Sequence, residues 1–585
     1  MKRSWFSVFF FLSYLILFVN SGIASSIPHI VKEPGEVFSV KSEIVSREDT
    51  IHLTEIKTRY LTLLCQLWGF LKYHHPEAAK GTLEMDAQLF KILPPVMKAQ
   101  DDKTFNSILE SWVDQFGVVP ECNSCQTKPG KNVVRKPDYA ELFDNDVFNA
   151  SLTTKLNHIL TNRIIVKHHY VKSTAVGNAV FTNELSWDEH AYPDLSHRVL
   201  SLFRYWNTVQ YFYPYKHLIG ASWSDILREN LPRFIQASDQ TQYALATLTL
   251  VCSLNDTHAN IGSGNQVLEK FRGMRMVPFQ AKFVEGKLTV TAYYSDTLAI
   301  KDHVLPGDII TGINEESVDG LIRKYLPITS GSNEASKLRN MPRYYLLRSN
   351  DPVLSLEINR DGRTIRKDVS TVSLESLDTS IDYNFHPEVQ SYKLLTDKIG
   401  YIYSGNFKIA DLPQLKSKLG STTGLIIDIR CSPLNSMAFS LAPYVKTGPS
   451  EFVKLVTVNV NQPGLFTLEN SRTFRNLGKY KGKVVILVNE ITQSFAEFNA
   501  MSFQGSPNVS VVGSTTAGAD GNVSKIVLPG GITTYISGLG MVYPDGSETQ
   551  RKGIKIDHFV APTIDGVKAG IDEALEKAIQ IIGES

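Results

Sequence analysis

The stretch KVVILVNEITQSFAE, residues 483–497, sets the fold of the second half of the chain. Its first part is an unbroken apolar run without alternation, the pattern of a strand buried on both faces. Residues Ser494 to Met501 then read as a helix that starts directly after the strand. Working outward, KIGYIYSG (398–405) reads as a strand and LPQLKSKLG (412–420) as a helix ended by Gly420. GLIIDIR (424–430) is another buried strand, and NVSVVGSTTAG (508–518) a further one closed by a glycine-bounded turn. This alternation predicts an α/β domain over 385–585 with a largely parallel sheet. Ser494 falls at the junction of strand and helix. A hydroxyl there lies at the positive end of the helix, beside backbone N–H groups able to hold an oxyanion. The same residues also fit a capping box, with Thr492 or Ser494 as cap and Glu497 closing it.

Upstream, residues 265–375 read as a β-rich module. KLTVTAYY (287–294) alternates, LPGDIITGINEESV (305–318) gives a strand between two turns, and LSLEINRDGRTIRKDV (354–369) is a hairpin about Asp361-Gly362. The module resembles a PDZ domain with a helical insertion near 316–348. PDZ domains take extended peptides at a sheet edge.

The first half repeats itself. LWGFLKYHHP (67–76) matches YWNTVQYFYP (205–214), and ILPPVMKA (92–99) matches NLPRFIQA (230–237), both 138 positions apart. Apolar residues recur at helical spacing in each. Two helical bundles are therefore expected, at 25–160 and 186–263, with a loop and a short strand or two between them. The aromatic residues around Trp68, Tyr73, Trp206, Tyr211 and Tyr213 read as core. The adjacent pairs His74-His75 and His168-His169 point in different directions on either a helix or a strand, so neither forms a metal site. The second copy ends in SLNDTHANIG, with His258 in a polar turn.

The chain has 585 residues, 43% of them hydrophobic and 20% charged, which excludes a disordered or coiled-coil protein. With 60 basic and 59 acidic residues, nothing marks a nucleic-acid binder. Lys2 and Arg3, then the apolar run Trp5 to Val19, then Ser21, Gly22, Ala24 and Ser25 form a secretory signal, residues 1–24. A periplasmic or secreted protein, free of the membrane after cleavage, is expected. Five cysteines are too few for a disulfide scaffold. Cys122 and Cys125 pair with each other or with Cys65, Cys252 or Cys431. No zinc motif and no phosphate-binding glycine loop is present, so no metal or cofactor is expected.

The order GLIIDIR-CSPLN, VVILVNEITQSFAE, VVGSTTAGA and PDGSETQRKGIKID, behind a PDZ-like module, resembles the tail-specific (C-terminal processing) and tricorn-core serine peptidases over residues 190–585. The resemblance implies a ClpP/crotonase-like peptidase core, with Ser494 as nucleophile and Glu497 as its supporting acid. The processing branch has a Lys where this chain has Ala519, so the tricorn-like branch is the better match. That implies His258 as base, preceded by the hydroxyl residue Thr257, with Gln550 at the position of a Glu and Glu548 as a substitute for it. The implied oxyanion donors are the backbone N–H groups of Phe495 and Leu434, Leu434-Asn435 standing where the family has Gly-Gly. Asp428 and Arg430 hold the loop. Histidine suits the base because it titrates near neutral pH. The expected activity is that of an exported serine endopeptidase acting on peptides or proteins through an acyl-enzyme. The alternative is a peptidase-fold protein that binds peptides or a hydrophobic ligand without turnover.

Overall fold

Six strands form the central sheet of the C-terminal part, in the order Tyr392–Thr396, Ile399–Tyr403, Gly424–Asp428, Lys483–Val488, Val509–Gly513 and His558–Phe559. The last five run parallel and the first is antiparallel at the edge. The apolar runs lack alternation because both faces are covered. Leu425, Ile427, Val484, Ile486 and Val488 face a cluster that includes Ala496, Ala500 and Met501 of the helix Phe495–Phe503. Ile426, Val485, Leu487 and Val512 face Ala578, Ile581 and Ile582 of the helix Glu573–Gly583. The result is a three-layer α/β/α sandwich, as the alternation of elements requires.

The computed structural model describes residues 53–122, 125, 130–163, 167–189, 191–262, 264–294, 299–474 and 478–584. The signal segment read in residues 1–24 lies outside them. Among the described residues no helix is long and apolar enough to cross a membrane. Ile51–Ser585 form one compact unit.

The β-rich segment builds a sheet in the order Arg363–Ser370, Val353–Arg360, Ile309–Ile313, Lys287–Tyr293, Phe279–Val284. Its hairpin turns at Asp361 (φ 50°) and Gly362 (φ 82°), as the Asp-Gly pair dictates. Helices Val318–Tyr325 and Glu334–Met341 interrupt it. The strand Phe279–Val284 is one edge, and it lies against the helix Glu334–Met341.

In the N-terminal half, helices Glu55–His74, Met85–Lys98 and Asp102–Asp114 end where Phe212, Gln236 and Cys252 end their counterparts Leu195–Phe212, Trp223–Gln236 and Gln240–Cys252, 138 positions on. The indole N–H of Trp68 donates to the Met85 carbonyl and that of Trp206 to the Trp223 carbonyl, both at 2.8 Å. The helices do not form two separate bundles. Glu55–His74 and Leu195–Phe212 are buried nearly all round, with polar as well as apolar side chains covered. They pack on each other and share one hydrophobic core. Between them lies the short hairpin Val171–Ser173 and Ala179–Phe181. Cys122 is disulfide-bonded to Cys125, while Cys65, Cys252 and Cys431 are free and buried. His74 and His168 are buried on the carbonyls of Phe70 and Tyr73, and Trp68, Tyr73, Trp206, Tyr211 and Tyr213 lie in the core.

Candidate active site

Ser494 sits at the N-cap of the helix Phe495–Phe503 with φ 56° and ψ −116°. A non-glycine residue at such angles is strained by about 1–3 kcal/mol and stays there only if its surroundings hold it. Two bonds do so. The Ser494 N–H donates to the Ala519 carbonyl at 2.9 Å and to Glu497 Oε2 at 3.2 Å. Glu497 is fully buried and also accepts from Thr516 Oγ1 at 2.5 Å and from the N–H groups of Gly518 and Ala519 at 2.9 and 3.0 Å. Burial pushes its carboxyl up, against the pull of these donors. Asp520 lies beside it, 1% exposed, pushed well up by burial and by Glu497. Its Oδ2 has no partner. Thr492 is not the cap. Its hydroxyl donates to the Ile429 carbonyl at 2.8 Å and accepts from the Asn489 N–H, tying two strand ends together.

Phe495 is the first residue of its helix, so its N–H has no acceptor inside it. Leu434 differs from expectation. Its N–H donates to the Ser404 carbonyl at 3.0 Å, which ties the loop after Gly424–Asp428 back to the neighbouring strand end. It is therefore not a free oxyanion donor. The next N–H, that of Asn435, has no acceptor among the described residues. Asp428 and Arg430 hold the loop as expected, Arg430 bridging Asp428 and Asp572 at 2.7 and 2.8 Å.

His258 follows the helix Gln240–Cys252 in a turn packed against the end of the strand Ile532–Ser537. Its Nδ1 lies 2.8 Å from Ser537 Oγ, and that hydroxyl donates to Asp256 Oδ1 at 2.9 Å. Asp256 Oδ2 accepts the Ser537 N–H at 2.8 Å. The acceptor at the end of this line leaves Nδ1 as hydrogen-bond partner of the serine and Nε2 free of it. Burial pulls the imidazole below its ordinary value, and Asp256 pulls it partly back. Asp256 and Ser537 were not read from the sequence. The aspartate two residues before His258 was the available signal.

Thr257 and Gln550 do not touch the His258 ring. Thr257 Oγ1 bonds Ser332 Oγ at 2.9 Å and the Ala517 carbonyl at 3.2 Å. Gln550 Nε2 reaches the same Ser332 hydroxyl at 3.4 Å, and its Oε1 is buried without a partner. The two residues thus meet only through Ser332, contributed by the helical insertion of the β-rich segment. Glu548 is no substitute for Gln550: it is paired with Arg135 and His217, both at 3.1 Å. The loop 516–519 links the two halves of the site, since Ala519 accepts from Ser494 and Ala517 from Thr257. Among the described residues no hydrogen bond joins the Ser494 and His258 side chains.

The sequence model of peptidase family S41 matches residues 398–560. No curated protein sequence matches the chain. Three solved structures share the fold over about two thirds of it. A mutant of CPAF gives a TM-score of 0.54 at 12% identity, covering 67% of this chain and 97% of that one. Mature CPAF gives 0.51 at 13%, covering 67% and 98%. Mature CPAF complexed with lactacystin gives 0.50 at 13%, covering 66% and 97%. The matched segment contains Ser494, Glu497 and the loop 516–519, so the family match and the strained serine coincide.

Proposed function

We propose that this chain, whose residues 398–560 match the model of peptidase family S41, is a serine endopeptidase that cuts peptide bonds through an acyl-enzyme on Ser494 with His258 as general base. The observation that carries this reading is the backbone of Ser494, held in a strained conformation at the start of a helix. His258 Nε2 takes the Ser494 proton as Oγ attacks the scissile carbonyl. The negative charge on the carbonyl oxygen is met by the N–H of Phe495, with the N–H of Asn435 in place of Leu434. Each such donor is worth about 3 kcal/mol in the transition state. The imidazolium then gives its proton to the leaving amine, and water resolves the ester by the same route in reverse. Asp256 acts through Ser537 to fix the ring and to stabilise its charged form, the role a buried aspartate plays toward a catalytic histidine. Gln550 carries no charge and is spared that task. This reading requires the Ser494–His258 bond to form when substrate binds, as catalytic contacts commonly do.

The same reading extends outward. The edge strand Phe279–Val284 and the helix Glu334–Met341 would form the peptide groove of a PDZ-like module, the two helical segments descend from one duplicated unit, and the protein is exported to the periplasm or beyond. A second reading, peptide binding without turnover, is favoured by the missing Ser494–His258 bond alone. A fluorophosphonate probe separates the two. Labelling is expected in the native chain, abolished in Ser494→Ala and strongly reduced in His258→Ala. Absence of labelling in the native chain, with peptide binding retained, overturns the peptidase reading.

A further inference from the structure

The helical half carries two polar clusters at matching positions, and only the first has a lysine on the helix position shared by Lys72 and Gln210. In the first, Lys72 Nζ lies 2.6 Å from Glu184 Oε1, and Arg204 lies 2.6 Å from Asp86 Oδ2 and 2.9 Å from Glu184 Oε2. The Lys72 ammonium also sits 4.7 Å from the centroid of the Trp68 ring. These charges are almost fully buried, and such charges persist only when paired.

Stepping 138 positions along the chain turns Trp68 into Trp206, Lys72 into Gln210, Tyr73 into Tyr211 and Asp86 into Ser224; stepping back turns Arg204 into Gln66. These counterparts assemble again. Gln66 Nε2 donates to Ser224 Oγ at 3.2 Å, as Arg204 does to Asp86, and to Glu141 Oε2 at 3.1 Å, as Arg204 pairs with Glu184. The amide of Gln66 thus occupies the place of the guanidinium. At the Lys72 position stands Gln210, whose Oε1 accepts from Lys216 Nζ at the cavity wall. A cavity of about 160 Å³ adjoins these groups, lined by Gln66, Glu141, Trp206, Gln210, Lys216 and Ser224 among others. Gln66 is 5% exposed, and its Oε1 has no partner.

The charges on the rim do not cancel. Lys216 Nζ is held by Asp138 Oδ2 and Gln210 Oε1, both at 3.0 Å. Arg228 approaches Glu141 only to 4.0 Å and is bonded to Asp225. Among the lining residues two carboxylates, Asp138 and Glu141, therefore stand beside one cation, Lys216. We propose that this cavity binds a primary ammonium group, presented by a lysine side chain or by the amino terminus of a peptide. The ammonium packs on the Trp206 face and is paired with Glu141, as Lys72 packs on Trp68 and is paired with Glu184.

Calorimetric titration of the full chain tests this, with n-butylammonium as probe and n-butanol as its uncharged control. Saturable binding of the ammonium and none of the alcohol is expected. Glu141→Gln weakens it about tenfold, the effect of removing the paired charge. Gln210→Lys abolishes it, because the new side chain supplies the ammonium. Nα-acetyl-lysine amide and glycyl-alanine amide then distinguish the side chain from the terminus. Equal titration by ammonium and alcohol, or wild-type binding in both variants, overturns the proposal. Labelling of Ser494 is read separately in each variant, so failure here leaves the peptidase reading standing, and the reverse.

Discussion

His258 has to be neutral to accept a proton, and its surroundings keep it so. Burial holds the imidazole below the ordinary histidine value of 6.5. The base is competent above its pKa and fails as pH falls through it. The acid limb of kcat/KM is therefore expected on the acid side of 6.5. Asp256 raises that pKa, so Asp256→Asn should move the limb to still lower pH. The same change removes the negative end of the line through Ser537 and should lower kcat by about a hundredfold at neutral pH. A pH–rate profile of the two proteins checks both. A lower rate with an unmoved limb would reduce Asp256 to a structural residue. This part of the site was only half legible. The Ser494 turn is local, and its residues sit three apart in the capping pattern. The line from Asp256 to Ser537 spans the distance between two segments of the chain far apart in sequence, so no spacing announces it. Gln550 was chosen by position within a motif, and the Ser332 hydroxyl that intercepts it comes from an insertion whose docking no local pattern encodes.

The helices show where periodicity ends as a guide. Four strands of the central sheet were legible, the buried ones because cover on both faces leaves an unbroken apolar run, and the helical character of the first half because the repeat shows it twice. The crossing of Glu55–His74 over Leu195–Phe212 was not. It is made at Gly69, where an added Cβ would stand 1.8 Å from Asn207 Oδ1. Asn207 is fully buried and donates to the carbonyls of Cys65 and Phe203, both at 2.9 Å, so it has no free rotamer to yield. Replacing a mid-helix glycine by alanine ordinarily stabilises by about 1 kcal/mol. Gly69→Ala should instead destabilise, by about 2–3 kcal/mol, because the overpacked helices must part. Thermal unfolding checks the sign. Adding Asn207→Ala should recover part of the loss, since it removes the obstructing amide. Recovery would locate the strain at this crossing, and no recovery would place it elsewhere.

For the whole molecule, the shared core ties stability to pH through histidines that have nothing to do with catalysis. His75 and His168 are pulled down to about 4 by burial, and His74 well below its ordinary value by the same cause. His75 Nδ1 accepts the Glu77 N–H at 3.3 Å and His168 Nδ1 accepts the Tyr170 N–H at 3.2 Å, bonds that protonation would destroy. In the unfolded chain each titrates near 6.5. Between 6.5 and about 4 the unfolded state binds these protons and the folded state refuses them. Stability conferred by the neutral rings is thus complete above 6.5 and declines as pH falls toward 4, by about 3 kcal/mol for each of His75 and His168. Urea unfolding across that interval should show the midpoint falling with pH. His168→Gln cannot take up a proton, so its stability, lower at neutral pH, should decline less steeply by about one proton's worth of slope. Identical slopes for the two proteins would mean that the loss of stability in acid comes from the buried carboxyls and not from this core. Because one core joins both helical segments, and the turn bearing His258 follows directly from it, the same acid interval that protonates these rings should also loosen the support of the active site.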